Sequence, residues 1–173
     1  RYERAFGPSR THRLHLPGVS VWGLNSARGV QPRLNWSKGQ VSARQAAEVA
    51  GEAARTKGVR IAVCHHPLVE MEGAPMTGAV WGGPRAAQAF IEAGFDLVLS
   101  GHVHVPFVLD YPFGDRRTYA VGAGTLSVRE RGVPAGFNEI HMEEAAIRIA
   151  AHSWTGSHFE PFRTWSVDRR AAL

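Results

Sequence analysis

Nine histidines occur in 173 residues, and four of them fall in two short clusters, His65-His66-Pro67 and Gly101-His102-Val103-His104. Imidazole is an acid or base near neutral pH and a ligand for zinc, iron or manganese. Each cluster follows an apolar run of strand length, Val59 to Cys64 in one case and Phe95 to Ser100 in the other. Open sheets place binding groups at strand ends, because the rigid strand fixes the first residues of the loop. In extended backbone His102 and His104 project to the same side, about 7 Å apart at their roots, and can serve two neighbouring metal ions. His65 and His66 then point to opposite sides, so at most one faces a site shared with His102. Pro67 biases His66 toward that extended conformation. The plain alternative for any single histidine is a surface or hydrogen-bonded residue; two clusters at two parallel positions argue for a site. Cys64 ends its apolar run and reads as a packed thiol rather than a ligand.

These clusters need a scaffold, and the surrounding pattern supplies one. Arg13-Leu14-His15-Leu16 alternates, Pro17-Gly18 interrupts, and residues 19–24 alternate again, which is the pattern of a hairpin. Residues 25–40 read as a loop, and 41–57 as a helix with Ser42 as its cap and Gly58 as its stop. The strand 59–64 follows. Prolines and glycines make 66–84 irregular, after which Pro84 opens a helix over 85–93 and Gly94 closes it before the strand 95–100. Strands with short turns come next, at 107–111, 118–121, 137–142 and 145–154, with Glu143-Glu144 as one of the turns. The last nineteen residues, 155–173, with Pro161 and Arg169-Arg170, read as a surface tail.

A chain that is 44% hydrophobic and 20% charged can build one globular core, which excludes disorder and fibrous repeats. Twenty basic against fifteen acidic residues give +5, and eighteen of the basic residues are scattered arginines, a balance that favours acidic or phosphorylated partners. The five tryptophans show no grouping on a basic stripe, so a nucleic-acid module ranks below an enzyme. One cysteine makes no internal disulfide, and there is no apolar run near twenty residues and no signal-like start. The expectation is a reduced, cytoplasmic protein with no membrane contact.

The pair Val63-Cys64-His65-His66-Pro67 and Ser100-Gly101-His102-Val103-His104 resembles the calcineurin-like metallophosphoesterase superfamily. Gly23-Leu24-Asn25-Ser26 and Gly122-Ala123-Gly124-Thr125 are similar to the strands on either side, so the resemblance covers residues 20–150. It implies an α/β fold, a two-sheet β-sandwich flanked by helices, and a centre of two divalent ions (Mn, Fe or Zn) that hydrolyses phosphate mono- or diesters. By the same resemblance His65 and His102 bind one ion and His104 the other. His66 is then a residue beside the ligands or on the substrate side, with a plain loop histidine as the alternative. Arg129 and Arg131 are candidates for holding phosphate oxygens, with solvated surface as their alternative. Asn25 either faces the site or caps a turn.

The family's first half supplies Asp-x-His, Gly-Asp-x-x-Asp and Gly-Asn-His-Asp or Glu motifs, and none is present; the first Asp of the sequence is Asp96. Arg1 to Gly7 resembles the linker that follows the last of these motifs. The resemblance therefore implies the C-terminal half of the domain, a single-domain fragment. Its remaining metal ligands come from an N-terminal half, and that half or a second copy covers the exposed sheet. A noncatalytic metal-binding or scaffold half is the alternative function.

Overall fold

The computed structural model describes residues 12–27, 35, 38–75, 78–127 and 129–170. Strands β1 (Arg13–Leu16) and β2 (Val19–Gly23) form the expected hairpin around Gly18, whose φ of 75° suits the tight turn. Helix α1 (Ala43–Ala53) starts where the Ser42 side chain accepts a hydrogen bond from the Gln45 N–H, and it buries Ala46, Val49 and Ala53 along one face. Strand β3 (Val59–Cys64) follows. Helix α2 (Gly83–Glu92) carries Pro84 in its first turn, is followed by Gly94 at φ 73°, and buries Phe90 and Ile91. Then come β4 (Leu97–Ser100), β5 (Phe107–Asp110) and β6 (Tyr119–Gly122).

These six strands form one sheet in the order β1-β2-β3-β4-β6-β5. Its four inner strands, β2, β3, β4 and β6, are parallel, and β1 and β5 pair antiparallel at the edges. Both helices cover one face, packing Val49, Phe90 and Ala87 against Trp22, Ala62, Phe95 and Val98. A three-stranded antiparallel sheet of β7 (Gly136–Met142), β8 (Ala146–Trp154) and β9 (Phe159–Asp168) covers the other face. There Ile147 and Ile149 meet Val59, Ile61, Leu97 and Val121. The layers are helices, mixed sheet, antiparallel sheet, the expected α/β two-sheet sandwich with its helices on the outside. No helix among the described residues is long and apolar enough to cross a membrane.

The reading of 155–173 as a tail is corrected by β9, which pairs with β8 along its whole length. Beyond it Arg170 closes the molecule. Its guanidinium donates to both Asp115 oxygens (2.6 and 3.1 Å), to the Thr118 hydroxyl (3.1 Å) and to the Phe95 carbonyl (3.3 Å), and its N–H donates to Asp96 Oδ1 (3.3 Å). The antiparallel sheet leaves part of the first sheet bare. Arg13 reaches Glu48 and Glu52 on the helix side, so Leu14 and Leu16 alternate to the opposite face, where they are 54% and 53% exposed. Val63, on the same face, is exposed as well.

Candidate metal centre

Because β2, β3, β4 and β6 run in one direction, their C-terminal ends share one edge of the sheet. The ladder continues a residue or two into the loops: the Leu24 N–H donates to the Val63 carbonyl (2.7 Å), Gly101 to His65 (3.1 Å) and Ala123 to Ser100 (2.8 Å). The histidines therefore leave from anchored backbone.

Neither cluster is extended, which corrects the expected geometry. His102 and His104 sit at φ 64° and 61°, in the left-handed region. The Val103 N–H donates to the Gly101 carbonyl at 2.7 Å, a three-residue turn around His102, and the Val103 side chain is fully buried in the core. After β3 the Cys64 thiol donates to the His66 carbonyl (3.1 Å), which folds the chain back on itself. His65 and His66 consequently lie close instead of diverging, with ring centroids 4.7 Å apart. Both approach His102, at 5.1 Å from His65 and 4.5 Å from His66. The ligating atoms of His65, His66 and His102 all lie within 4.8 Å of one another.

His66 is buried, and two residues from elsewhere in the chain hold it. The Ser26 hydroxyl, in the loop three residues beyond β2, accepts from the His66 N–H (3.1 Å) and lies 3.0 Å from Nδ1. Gly39 presses on the ring from behind, where a Cβ would stand 2.6 Å from it. Sequence reasoning missed both residues as parts of the site. Ser26 carried one signal, its place just beyond a parallel strand; Gly39 carried none. Cys64 is the packed thiol expected, and burial pushes it up to about 12, so it stays protonated.

His104 stands outside the three-histidine group. Its Nδ1 lies 2.7 Å from the Arg129 carbonyl oxygen, to which an Nδ1–H donates, leaving Nε2 on the far side of the ring. Metal-bound histidines are commonly fixed by such a bond to a backbone carbonyl. Arg129 thus reaches the site through its main chain, and its side chain is exposed, as is that of Arg131. Asn25 caps a turn, its Oδ1 accepting from the Ala27 N–H (3.1 Å).

Burial, followed by the neighbouring His66 and His65, pulls His102 down to about 4; burial and then His104 lower His65. Both rings are neutral at pH 7, the form that ligates metal. His102 Nδ1 and His65 Nε2 face each other at 3.2 Å. Two nitrogens on one tetrahedral zinc, each about 2.0–2.1 Å from it, stand about 3.3–3.4 Å apart. The donor set and its spacing fit a divalent ion.

No family model matches the sequence, and no curated protein matches it. Solved structures do. A dimetal phosphatase from Danio rerio superposes with a TM-score of 0.66 at 8% identity, over 91% of this chain and 60% of that one. GAP50, the anchor in the inner membrane complex of Plasmodium, superposes with a TM-score of 0.60 at 11% identity, over 94% of this chain and 54% of that one. The chain thus spans less than two thirds of either protein. Both are calcineurin-like metallophosphoesterase folds, and with its own layers and strand-end histidines this chain has the calcineurin-like metallophosphoesterase fold.

Proposed function

We propose that this chain supplies the C-terminal half of a metal-dependent phosphoesterase that hydrolyses phosphate mono- or diesters at a dinuclear centre. The observation that carries the reading is the convergence of His65 and His102 from the ends of adjacent parallel strands, with His104 one turn away. His65 and His102 hold one ion, and His104 presents Nε2 to the other. Bound there, two divalent ions (Mn, Fe or Zn) supply Lewis acidity toward phosphate oxygens and an activated water. The Arg129 carbonyl fixes the His104 ring, and the exposed Arg129 guanidinium, on the same loop, is suited to two phosphate oxygens at once. Asn25, with its Oδ1 engaged by Ala27, has Nδ2 to offer to a substrate. The carboxylate ligands come from the rest of the domain, which packs on the bare strip of Leu14, Leu16 and Val63.

A noncatalytic half is the second reading. It is favoured by the histidine group itself, which contains no carboxylate, and by an anchor protein having this fold.

The test uses the chain joined to its complementing half, with manganese and bis(p-nitrophenyl) phosphate. His102→Ala and His104→Ala are each expected to lower hydrolysis by roughly a hundredfold or more, with a matching loss of bound metal. Full activity in either variant overturns the assignment, and no hydrolysis by the intact pair establishes the noncatalytic reading.

A further inference from the structure

His66 is too well built for a loop residue. Its ring is buried, its main chain and Nδ1 both face the Ser26 hydroxyl, and the ring packs so closely on Gly39 that a Cβ there would stand 2.6 Å from it. The three rings also stand at a telling separation. An imidazole centroid lies about 1.1 Å behind its ligating nitrogen, hence about 3.2 Å from a tetrahedral zinc, and two such centroids are about 5.2 Å apart. The observed separations are 5.1, 4.7 and 4.5 Å. Each pair of rings is therefore within about 0.7 Å of the spacing that one shared ion requires. Three ring pairs meet that condition together, which a loop histidine packed at random against two others does not explain.

We propose that His66 is a metal ligand, and that this chain by itself completes a mononuclear centre of three imidazoles, with the fourth position left to an exogenous ligand. With Nδ1 held by Ser26, coordination by His66 goes through Nε2. The donor set is three neutral nitrogens, which selects zinc or cobalt over magnesium or calcium. Ser26 acts here as a positioning residue. Its oxygen accepts the backbone N–H of His66 and, in the tautomer that leaves Nε2 to the metal, the ring Nδ1–H as well, so the ring is oriented before any ion arrives. The proposal shares His65 and His102 with the phosphoesterase reading, but it needs neither a second ion nor a carboxylate.

The experiment is titration of the purified 173-residue chain with cobalt and with zinc, read by calorimetry, the cobalt visible spectrum and X-ray absorption at the zinc edge. One ion per chain is expected, with the intense visible bands of four-coordinate cobalt and scattering from three imidazoles. His66→Ala is expected to leave two imidazoles and to weaken binding by roughly a hundredfold, and Ser26→Ala by roughly tenfold, whereas His141→Ala on the distant sheet changes nothing. Two imidazoles in the wild-type spectrum, or wild-type affinity in His66→Ala, overturns the proposal. If His66→Ala does not fold, the wild-type imidazole count decides alone. A chain that binds one ion through three imidazoles but never hydrolyses a phosphate ester with its complement refutes the phosphoesterase reading and leaves this site standing. Hydrolysis together with a two-imidazole spectrum does the reverse.

Discussion

At the scale of single residues, the site depends on where side chains are held more than on which ones are present. The histidines and their strand-end positions were legible in the sequence, because an apolar run ending in His-His-Pro or Gly-His-x-His can be recognised in one dimension. Their convergence was not. It depends on a turn at His102 in a conformation that few side chains adopt, and on Ser26 and Gly39, which lie 40 and 27 positions before His66. Cys64 shows the same point from the other side: a thiol one residue from the proposed ligand His65 is held away by its burial and by its bond to the His66 carbonyl. Cys64→Ala is expected to retain bound metal while losing about 1–2 kcal/mol of stability, since a small buried group is deleted. Urea denaturation with metal analysis on the same sample checks this, and loss of metal at unchanged stability would make Cys64 a ligand.

At the scale of elements, the parallel strands and both helices followed from apolar periodicity and from Ser42, Pro84 and Gly94 at their ends. Strand β9 did not, for a physical reason. It is an edge strand of the outer sheet and is exposed along most of its length, so burial leaves no alternating signature in its sequence. A register shift opposite Ala151 and His152 further breaks the period. What holds the end of this segment is the Arg170 cluster against Asp115, Thr118, Phe95 and Asp96. The Arg170 guanidinium holds the Asp115 carboxyl below its ordinary 3.8. A carboxyl whose folded pKa is depressed adds stability that is present above the unfolded value and is lost as pH falls through the folded one. Arg170→Ala is therefore expected to lower the urea midpoint at pH 7 and to flatten the decline in stability below about pH 4, where wild type loses this contribution. Melts at pH 7 and pH 3 measure it; an unchanged slope with acid would remove Asp115 from the account.

At the scale of the whole molecule, the layering was readable, and so was the absence from these 173 residues of the carboxylate motifs that the resemblance implies. What only the structure adds is where the bare surface lies. Leu14 and Leu16 belong to the edge strand β1, and with Val63 they face the side that the three-stranded sheet does not reach. Exposed apolar side chains on an open edge recruit partners. The 18.9 kDa chain is expected to elute as a larger species and to leave phosphodiesters intact, and the pair Leu14→Lys, Leu16→Lys to shift it toward monomer. Light scattering coupled to size exclusion reads the mass. A stable wild-type monomer that turns over bis(p-nitrophenyl) phosphate would contradict both halves of this expectation.

The left-handed backbone at His102 and His104 narrows the paths along which this site can evolve. Besides glycine, asparagine and aspartate are the residues that enter that region most readily, through short side chains able to bond their own main chain. Both also offer oxygen to a metal. If these histidines ligate as proposed, a single exchange at either position would keep the turn at buried Val103 while trading a nitrogen donor for an oxygen one, which would move the preference from zinc toward manganese or magnesium. β-Branched replacements would have to rebuild the turn first. On the proposed assignment, the backbone conformation thus favours substitutions that keep the turn and change the donor over those that must rebuild the turn.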